Sequence, residues 1–576
     1  MSIEPTSATR FAWMRVAALV AIPSALLVVF FVSLANPALT QPIFLRTTYS
    51  FLLVTVAVWA ATYVYVARDL RRVDVVAWVK DNRAGIALAV VATVIAALAI
   101  PPALRLLSDE AGIVGTSRNL LFKKVPTYTT AGKYYYDQFW ETASTIDQRP
   151  CLFPFLLSVV HAVCGYAVSN VFLLNLTLLP AIVLLAYRIA KTLGGEVVGI
   201  VAAVLVLAQP TLLVTARSGA FDVLATLFAL LIVHGFLAHA RNPSPARLAA
   251  LWMNLCLFAE IRYESALFLI PVVVLLTLFR LAKWRDLKPF ALVYALTPLY
   301  LLPRLWQSIL LGSVPEQAPG AVTFGAQNVG KNWLEYFRPV WTPFDFHLPH
   351  AGAVIALGVV GSVLGARWCW VRLRAREVHS AEFRFAALVV VWMTVQSLIL
   401  FTYVWGRAQH PAAARLFITM DTFFACLGAW ALVAMLKRFP RFLSVLVSVL
   451  LFVVYLPVAS EHRVFNEMTL TREAATAWRY FESLNEKRIM IVAERPSLYA
   501  IMEYGALDFE AARGDPRLLD ALSRHLFYDL YLVQKIDLTT RQPVPQHEIW
   551  PDRPRDTMLE FQNDANVLIR ISRLEH

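Results

Sequence analysis

Apolar runs near 20 residues in length recur along most of the chain, separated by short polar connections. Each is long enough to cross a hydrocarbon core of about 30 Å. The runs at 11–33, 50–67, 84–107, 169–188, 196–213, 222–240, 247–260, 264–280, 289–310, 351–369, 385–403, 415–435 and 442–459 predict about 13 transmembrane helices. The pair 247–260 and 264–280 is short. Arg262, Tyr263 and Glu264 interrupt it, which predicts two short helices meeting at a charged turn. The piece 151–165, CLFPFLLSVVHAVCG, is shorter than a crossing and predicts a helix lying on or dipping into the interface.

After residue 459 the pattern changes. RIMIVAE (488–494), DLYLVQKI (529–536) and NVLIRIS (566–572) read as strands, and REAATAWRYFESLN (472–485) beside them reads as a helix. The predicted fold class is a polytopic α-helical membrane protein with a small C-terminal α/β domain. Three regions follow: two leading helices and a loop over 1–83, a transmembrane module over 84–459, and the α/β domain over 460–576. The module carries two long connections, 108–168 and 311–350. The second holds Pro315, Pro319, Pro339, Pro343 and Pro349.

Charge sets the expected orientation. Arg71, Arg72, Lys80 and Arg83 share one connection, and Arg280, Lys283, Arg285 and Lys288 another. Arg367, Arg372, Arg374, Arg376 and Arg384 share a third, and Lys437, Arg438 and Arg441 a fourth. All four fall on one side of the predicted topology, which the positive-inside rule makes cytoplasmic. The N-terminus is then cytoplasmic, and the C-terminal domain lies outside. The first run, behind Arg10 and Arg15, reads as an uncleaved signal anchor.

Only 16% of residues are charged, against about 25% in soluble domains. The net charge of +13 sits in short connections facing anionic lipid, so nucleic acid is not an expected partner. Cys151, Cys164, Cys256, Cys369 and Cys426 lie in or beside apolar segments without metal-ligand spacing and read as packing residues. Together these features place the chain in a bacterial inner membrane with its working face in the periplasm.

Ionisable residues collect at the outer ends of the predicted helices: Asp109 and Glu110, Asp147 and Arg149, Arg217 and Asp222, Arg262 and Glu264, then Arg407, His410 and Arg415. Each alone also reads as a solvated helix end. Gathered on one face beside apolar helices, they suit work on a lipid with a phosphate head. Tyr134, Tyr135, Tyr136 and Trp140 suit either stacking on a sugar ring or an interfacial aromatic belt, and Lys123 and Lys124 suit lipid headgroups. Lys331, Trp333 and Tyr336 suggest a lid. The C-terminal domain has no Gly-rich phosphate loop.

The order of these motifs resembles the GT-C superfamily of membrane glycosyltransferases, near the protein O-mannosyltransferases and the lipid A aminoarabinose transferases (the glycosyltransferase 39-like set). The resemblance rests on LRLLSDEAGIVG (104–115), DQRPCLFPFLLSVVHAVCG (147–165), RSGAFDVLATLFALLIVHGFLAHAR (217–241), AEIRYESALFLIP (259–271) and HPAAARLFITMDTFF (410–424), and it covers roughly 84–435. Many relatives continue the acidic pair with a basic residue and a tyrosine, where this chain has Gly112 and Ile113. Their proline segment often carries Lys and a second Pro, where this chain has Arg149, Pro150 and Cys151.

The resemblance implies a polyprenyl-phosphate sugar donor and an acceptor hydroxyl on a lipid, a glycan or a protein. Arg149, Arg262 and Arg415, with His410 and Arg217 behind them, become the phosphate-binding candidates, because arginine meets phosphate in a fork geometry. Asp109 becomes the general base that takes the acceptor proton, with inversion at the anomeric carbon. Glu110 orients that base or pairs with an arginine. Asp222, Asp147 and Glu264 are acids for the acceptor or for structure. No metal ligand set is assigned, and a divalent metal is left open. The competing expectations are a transporter or flippase of a lipid-linked sugar, and a scaffolding membrane protein.

Overall fold

Inside a bilayer every backbone amide must be satisfied within its own segment, so apolar runs fold as helices. The computed structural model describes the chain except for residues 1–6, 70–74, 106, 312–322, 344, 461–468, 525–528, 563–566 and 576. Arg71, Arg72, Pro315 and Pro319 lie outside the described residues. Among the described residues, eight helices are long and apolar enough to cross a membrane. Shorter apolar helices, among them Glu196–Leu207, Pro245–Ala259 and Ser265–Leu278, pack with them. The chain is a multi-pass helical membrane protein with a sheet domain at one end of the bundle.

Several expected boundaries move for identifiable reasons. The third run ends as the helix Val75–Ala99, not at residue 107. Pro101 and Pro102 follow at once, and proline disfavours helix in itself and in the residue before it. Leu107–Phe122, which carries the acidic pair in its first turn, is a separate helix. The run 196–213 breaks at Gln209 before Pro210, and 289–310 divides into Ala291–Ala295 and Thr297–Leu311. The interfacial piece forms the helix Leu152–Cys164, which buries Phe153, Phe155, Leu157 and His161 and exposes Val159 and Val163. Cys164 is exposed there, unlike the buried Cys151, Cys256 and Cys426.

The sheet is not confined to 460–576. A hairpin from the first long connection, β1 (Thr127–Tyr135) and β2 (Gln138–Ile146), joins β3 (Ile489–Ala493), β4 (Gly505–Leu507), β5 (Asp529–Asp537), β6 (Arg555–Gln562) and β7 (Val567–Leu574). The order is β2-β1-β4-β3-β5-β7-β6. The join between β1 and β4 pairs Gly132 with Ala506. Tyr136 and Asp137 turn the hairpin with positive φ, as a two-residue hairpin loop requires. The helix Thr469–Leu484 packs beside the sheet.

Two polar ties hold this domain against the acidic helix. Arg118 pairs with Glu503 at 2.9 Å and lies over the Phe139 ring. Thr471 donates to the carbonyl of Arg105 at 3.0 Å. The acidic pair is thereby wedged between the helix bundle and the sheet domain.

Candidate active site

Asp109 sits in the first turn of its helix, where a carboxylate also meets the positive end of the helix dipole. One of its oxygens pairs with Nη2 of Arg149. The other accepts from Nη2 of Arg415 at 2.5 Å. Nη1 of Arg415 reaches Asp222 at 3.2 Å, and Asp222 also accepts from Nη1 of Arg262 at 2.5 Å. Nε of Arg262 meets Glu264 at 2.6 Å. At the other end Arg149 reaches Asp147 with Nη1 at 2.8 Å. The result is one alternating chain: Asp147, Arg149, Asp109, Arg415, Asp222, Arg262, Glu264.

Distant segments supply these groups. Pro150 ends the turn that carries Arg149, and Gln307 clamps it by donating to the carbonyls of Asp147 and Arg149, both at 2.7 Å. Thr116 lies 3.4 Å from Asp147. Gly112 makes room: a Cβ there would stand 2.9 Å from Asp147 Oδ2 and 3.1 Å from Arg149 Nη1. Asp222 opens the helix Asp222–Arg241. Arg415 stands in a short 3-10 turn that leads into the helix Ile418–Met435. The guanidinium groups of Arg262 and Arg415 lie 5.9 and 5.7 Å from the centre of the Phe221 ring.

Burial makes the pairing necessary. Asp147 and Asp222 are sealed from solvent, and an unpaired buried charge is costly. Asp109 remains 27% exposed at its side chain, the most open group of the chain. Burial opposes its ionisation, but Arg415 and Arg149 together outweigh this and hold the carboxyl below the ordinary range. For Asp147 burial dominates and the carboxyl is raised despite Arg149.

The remaining candidates sit elsewhere. Glu110 is fully buried behind Asp109, where Oε2 accepts the Arg105 amide at 2.6 Å. Burial pushes its carboxyl up to about 7, against the pull of that bond and of Arg415. Arg217 donates from Nε to the carbonyl of Ile100 at 3.0 Å and braces the turn after Val75–Ala99. His410 accepts the Ala412 amide at 3.3 Å and caps the turn before Arg415. Neither joins the ion chain.

The suggested lid is docked. Tyr336 is buried, stacks on Phe417 and donates to Asp421 at 2.7 Å, while Trp333 stays exposed. Tyr135, Tyr136 and Trp140 lie exposed toward the hairpin tip, away from the ion chain. Lys123 pairs with Glu141 at 2.7 Å, and Lys124 lies over the Tyr49 ring.

Gln307 and Gly112 were not anticipated as supports. Gln307 falls inside an apolar run beside Arg304 and Ser308, and nothing in the sequence sets it apart from them. A small apolar cavity lies against Arg262 and Glu264, lined by Phe258, Phe268, Trp392 and Leu400. At about 20 Å³ it holds little more than one water. Among the described residues no three His, Cys, Asp or Glu side chains converge as a metal set.

The fold has solved counterparts. The crystal structure of ArnT from Cupriavidus metallidurans bound to undecaprenyl phosphate is similar at a TM-score of 0.52 and 13% identity, over 84% of this chain and 97% of that one. The apo state of the same protein gives 0.53 and 12%, with the same coverage. The Archaeoglobus fulgidus oligosaccharyltransferase, in complex with Zn and sulfate, gives 0.43 and 12%, over 77% of this chain and 67% of that one. No protein-family model and no curated protein matches the sequence. The likeness is one of fold: the chain shares the overall architecture of the two ArnT structures.

Proposed function

We propose that this protein is a glycosyltransferase that moves a sugar from a polyprenyl-phosphate donor to a hydroxyl of a lipid, glycan or protein acceptor, with inversion, on the periplasmic face of a bacterial inner membrane. The single observation that carries the reading is the ion chain centred on Asp109. It gathers three arginines, a carboxylate open to solvent and an apolar helix cluster in one place. The undecaprenyl phosphate bound to ArnT, on the same architecture, agrees with a donor of that class.

In the unliganded chain every arginine is already engaged. Four carboxylates (Asp109, Asp147, Asp222, Glu264) face three guanidinium groups (Arg149, Arg262, Arg415). A donor phosphate therefore enters by exchange. Its oxygens take the forks of Arg149 and Arg415, and Asp109 is released. A carboxylate clamped by two guanidinium groups is a weak base; freed from them it is a stronger one. Donor binding thus arms the base.

Asp109 then accepts the proton of the acceptor hydroxyl, whose oxygen attacks the anomeric carbon from the face opposite the phosphate. The bond between that carbon and the phosphate oxygen breaks, and its electron pair leaves on the phosphate. The products are the new glycoside and polyprenyl phosphate, and the arginines stabilise the charge gathering on the leaving group.

The test is Asp109→Asn in purified protein, with a labelled polyprenyl-phosphate sugar and the cell-envelope fraction as acceptor. Transfer should fall by about 10²–10⁴-fold, the usual contribution of a general base. Full transfer by a folded Asp109→Asn protein removes the assigned base.

A further inference from the structure

A second, larger cavity is lined by Arg105, whose backbone amide binds Glu110. Its volume is about 990 Å³. Pro101 to Arg105, just beyond the helix Val75–Ala99, and Tyr166 to Phe172, leading into the helix Asn170–Gly194, form its floor. Both helices are candidate membrane spans. The helix Thr469–Leu484 of the sheet domain and the turn at Ile501–Glu503 form its roof. The cavity therefore lies at the adjoining ends of two candidate membrane spans.

Its walls are amphipathic and basic. Arg105, only 3% exposed, and the exposed Arg472, Arg479 and Lys487 supply four cations. Glu482 and Glu503 are the opposing carboxylates, and Arg118 neutralises Glu503 at 2.9 Å. Leu104, Phe172, Trp478 and Met502 supply apolar surface beside them. Two bonds across the cavity hold floor to roof: Tyr166 donates to the carbonyl of Ile501 at 2.5 Å, and Thr471 donates to that of Arg105 at 3.0 Å.

A basic rim over an apolar floor fits one class of molecule, an anionic amphiphile. We infer that this cavity holds the phosphate-bearing headgroup of a membrane phospholipid, at a site separate from the Asp109 ion chain. Acyl chains leave along the outer surfaces of Val75–Ala99 and Asn170–Gly194, and the headgroup bridges those spans to the sheet domain. The inference stands apart from the proposed transfer reaction, since it needs neither donor nor acceptor.

The test uses the full-length protein in lipid nanodiscs, with phosphatidylglycerol and phosphatidylcholine in equal amounts, read by native mass spectrometry of the lipids retained. The wild type should keep phosphatidylglycerol. The triple variant R472A, R479A and K487A should lose about a hundredfold in affinity, at about a factor of five per cation. The triple variant R367A, R374A and R376A, of equal charge change at exposed positions along and just after the end of the helix Gly352–Arg374, should retain it. If the cavity triple does not fold, the single R479E on the exposed helix gives the same reading. Equal loss in both triples means general charge attraction and overturns the inference. So does undiminished retention in the cavity variants. An arm with inorganic phosphate alone separates the sources: binding as tight as the lipid's, without preference between the two lipids, also overturns it.

Discussion

Asp109 and Arg415 meet at 2.5 Å although 306 positions separate them in the chain. The same guanidinium holds Asp222 with its other terminal nitrogen. One arginine thus ties the start of the acidic helix to the start of Asp222–Arg241. If the donor phosphate displaces Asp109 from this clamp, the two kinetic parameters must report different ionisations. The acid limb of kcat/KM reads the free enzyme, and that of kcat reads the loaded enzyme. With Arg415 and Arg149 in place, Asp109 should titrate below the ordinary value of about 3.9. With phosphate on the arginines it should titrate higher. A pH profile with both acid limbs at one value rules out the exchange. Stability follows the same sign. The depressed group contributes above its unfolded value, and that contribution is lost as pH falls through the folded one.

Arg415→Lys tests the fork itself. A lysine ammonium is a point charge and cannot hold Asp109 and Asp222 in the two-nitrogen geometry now present. Asp222 is 1% exposed, so partial loss of its partner leaves a buried charge less well paired. Arg415→Lys should lower stability by about 1–3 kcal/mol and weaken donor binding at least tenfold, an effect of about 1.4 kcal/mol. Thermal unfolding and donor titration read the two separately. Unchanged donor affinity in the folded variant removes Arg415 from the phosphate site.

Gly112→Ala probes the packing beneath the pair. The added methyl would press on Asp147 Oδ2 at 2.9 Å and on Arg149 Nη1 at 3.1 Å. Alanine suits the helix better than glycine by about 1 kcal/mol, so local propensity favours the substitution. Displacement of the ion pair opposes it. The expected outcome is a protein of near wild-type unfolding temperature with transfer reduced at least tenfold, since small misplacements of positioning groups cost about that much or more. Wild-type transfer in this variant shows that the Asp147–Arg149 contact does not set the geometry of Asp109.

How much of this was legible in the sequence depends on how far apart the partners lie. Apolar length revealed the helices, because a bilayer leaves the backbone few alternatives. The strands around 489–493 and 529–537 were visible as short apolar runs rich in Val, Ile and Leu. The hairpin β1–β2 was not. Its Thr, Tyr and Lys residues alternate weakly, and the sheet it joins comes from residues more than 300 positions later. The ionic residues were recognisable individually, and Asp109, Arg149, Arg262 and Arg415 do converge. What sequence order did not separate was a group in the ion chain from a brace beside it. Arg217 and His410 stand at helix ends like the arginines of the ion chain, yet they hold backbone atoms.

Glu110 differs from its neighbour Asp109 in sign as well as in place. Full burial raises its carboxyl to about 7, even with the Arg105 amide bound and Arg415 near. In the unfolded chain it titrates near 4.3. Between those values the folded state binds more protons than the unfolded state, so stability falls as pH rises through that window. Glu110→Gln keeps an acceptor for the Arg105 amide and removes the charge. The variant should match the wild type at pH 4 and exceed it by about 1–3 kcal/mol at pH 8, within the ceiling that such a shift sets at 1.36 kcal/mol per unit. Its transfer activity should persist, because in the proposed reaction Asp109 takes the proton. Denaturant unfolding at the two pH values is the measurement. A Glu110→Gln protein that is less stable than wild type at pH 8 means that the ionised carboxylate is a needed partner of Arg105 and Arg415. A stable protein without transfer moves the base from Asp109 to Glu110.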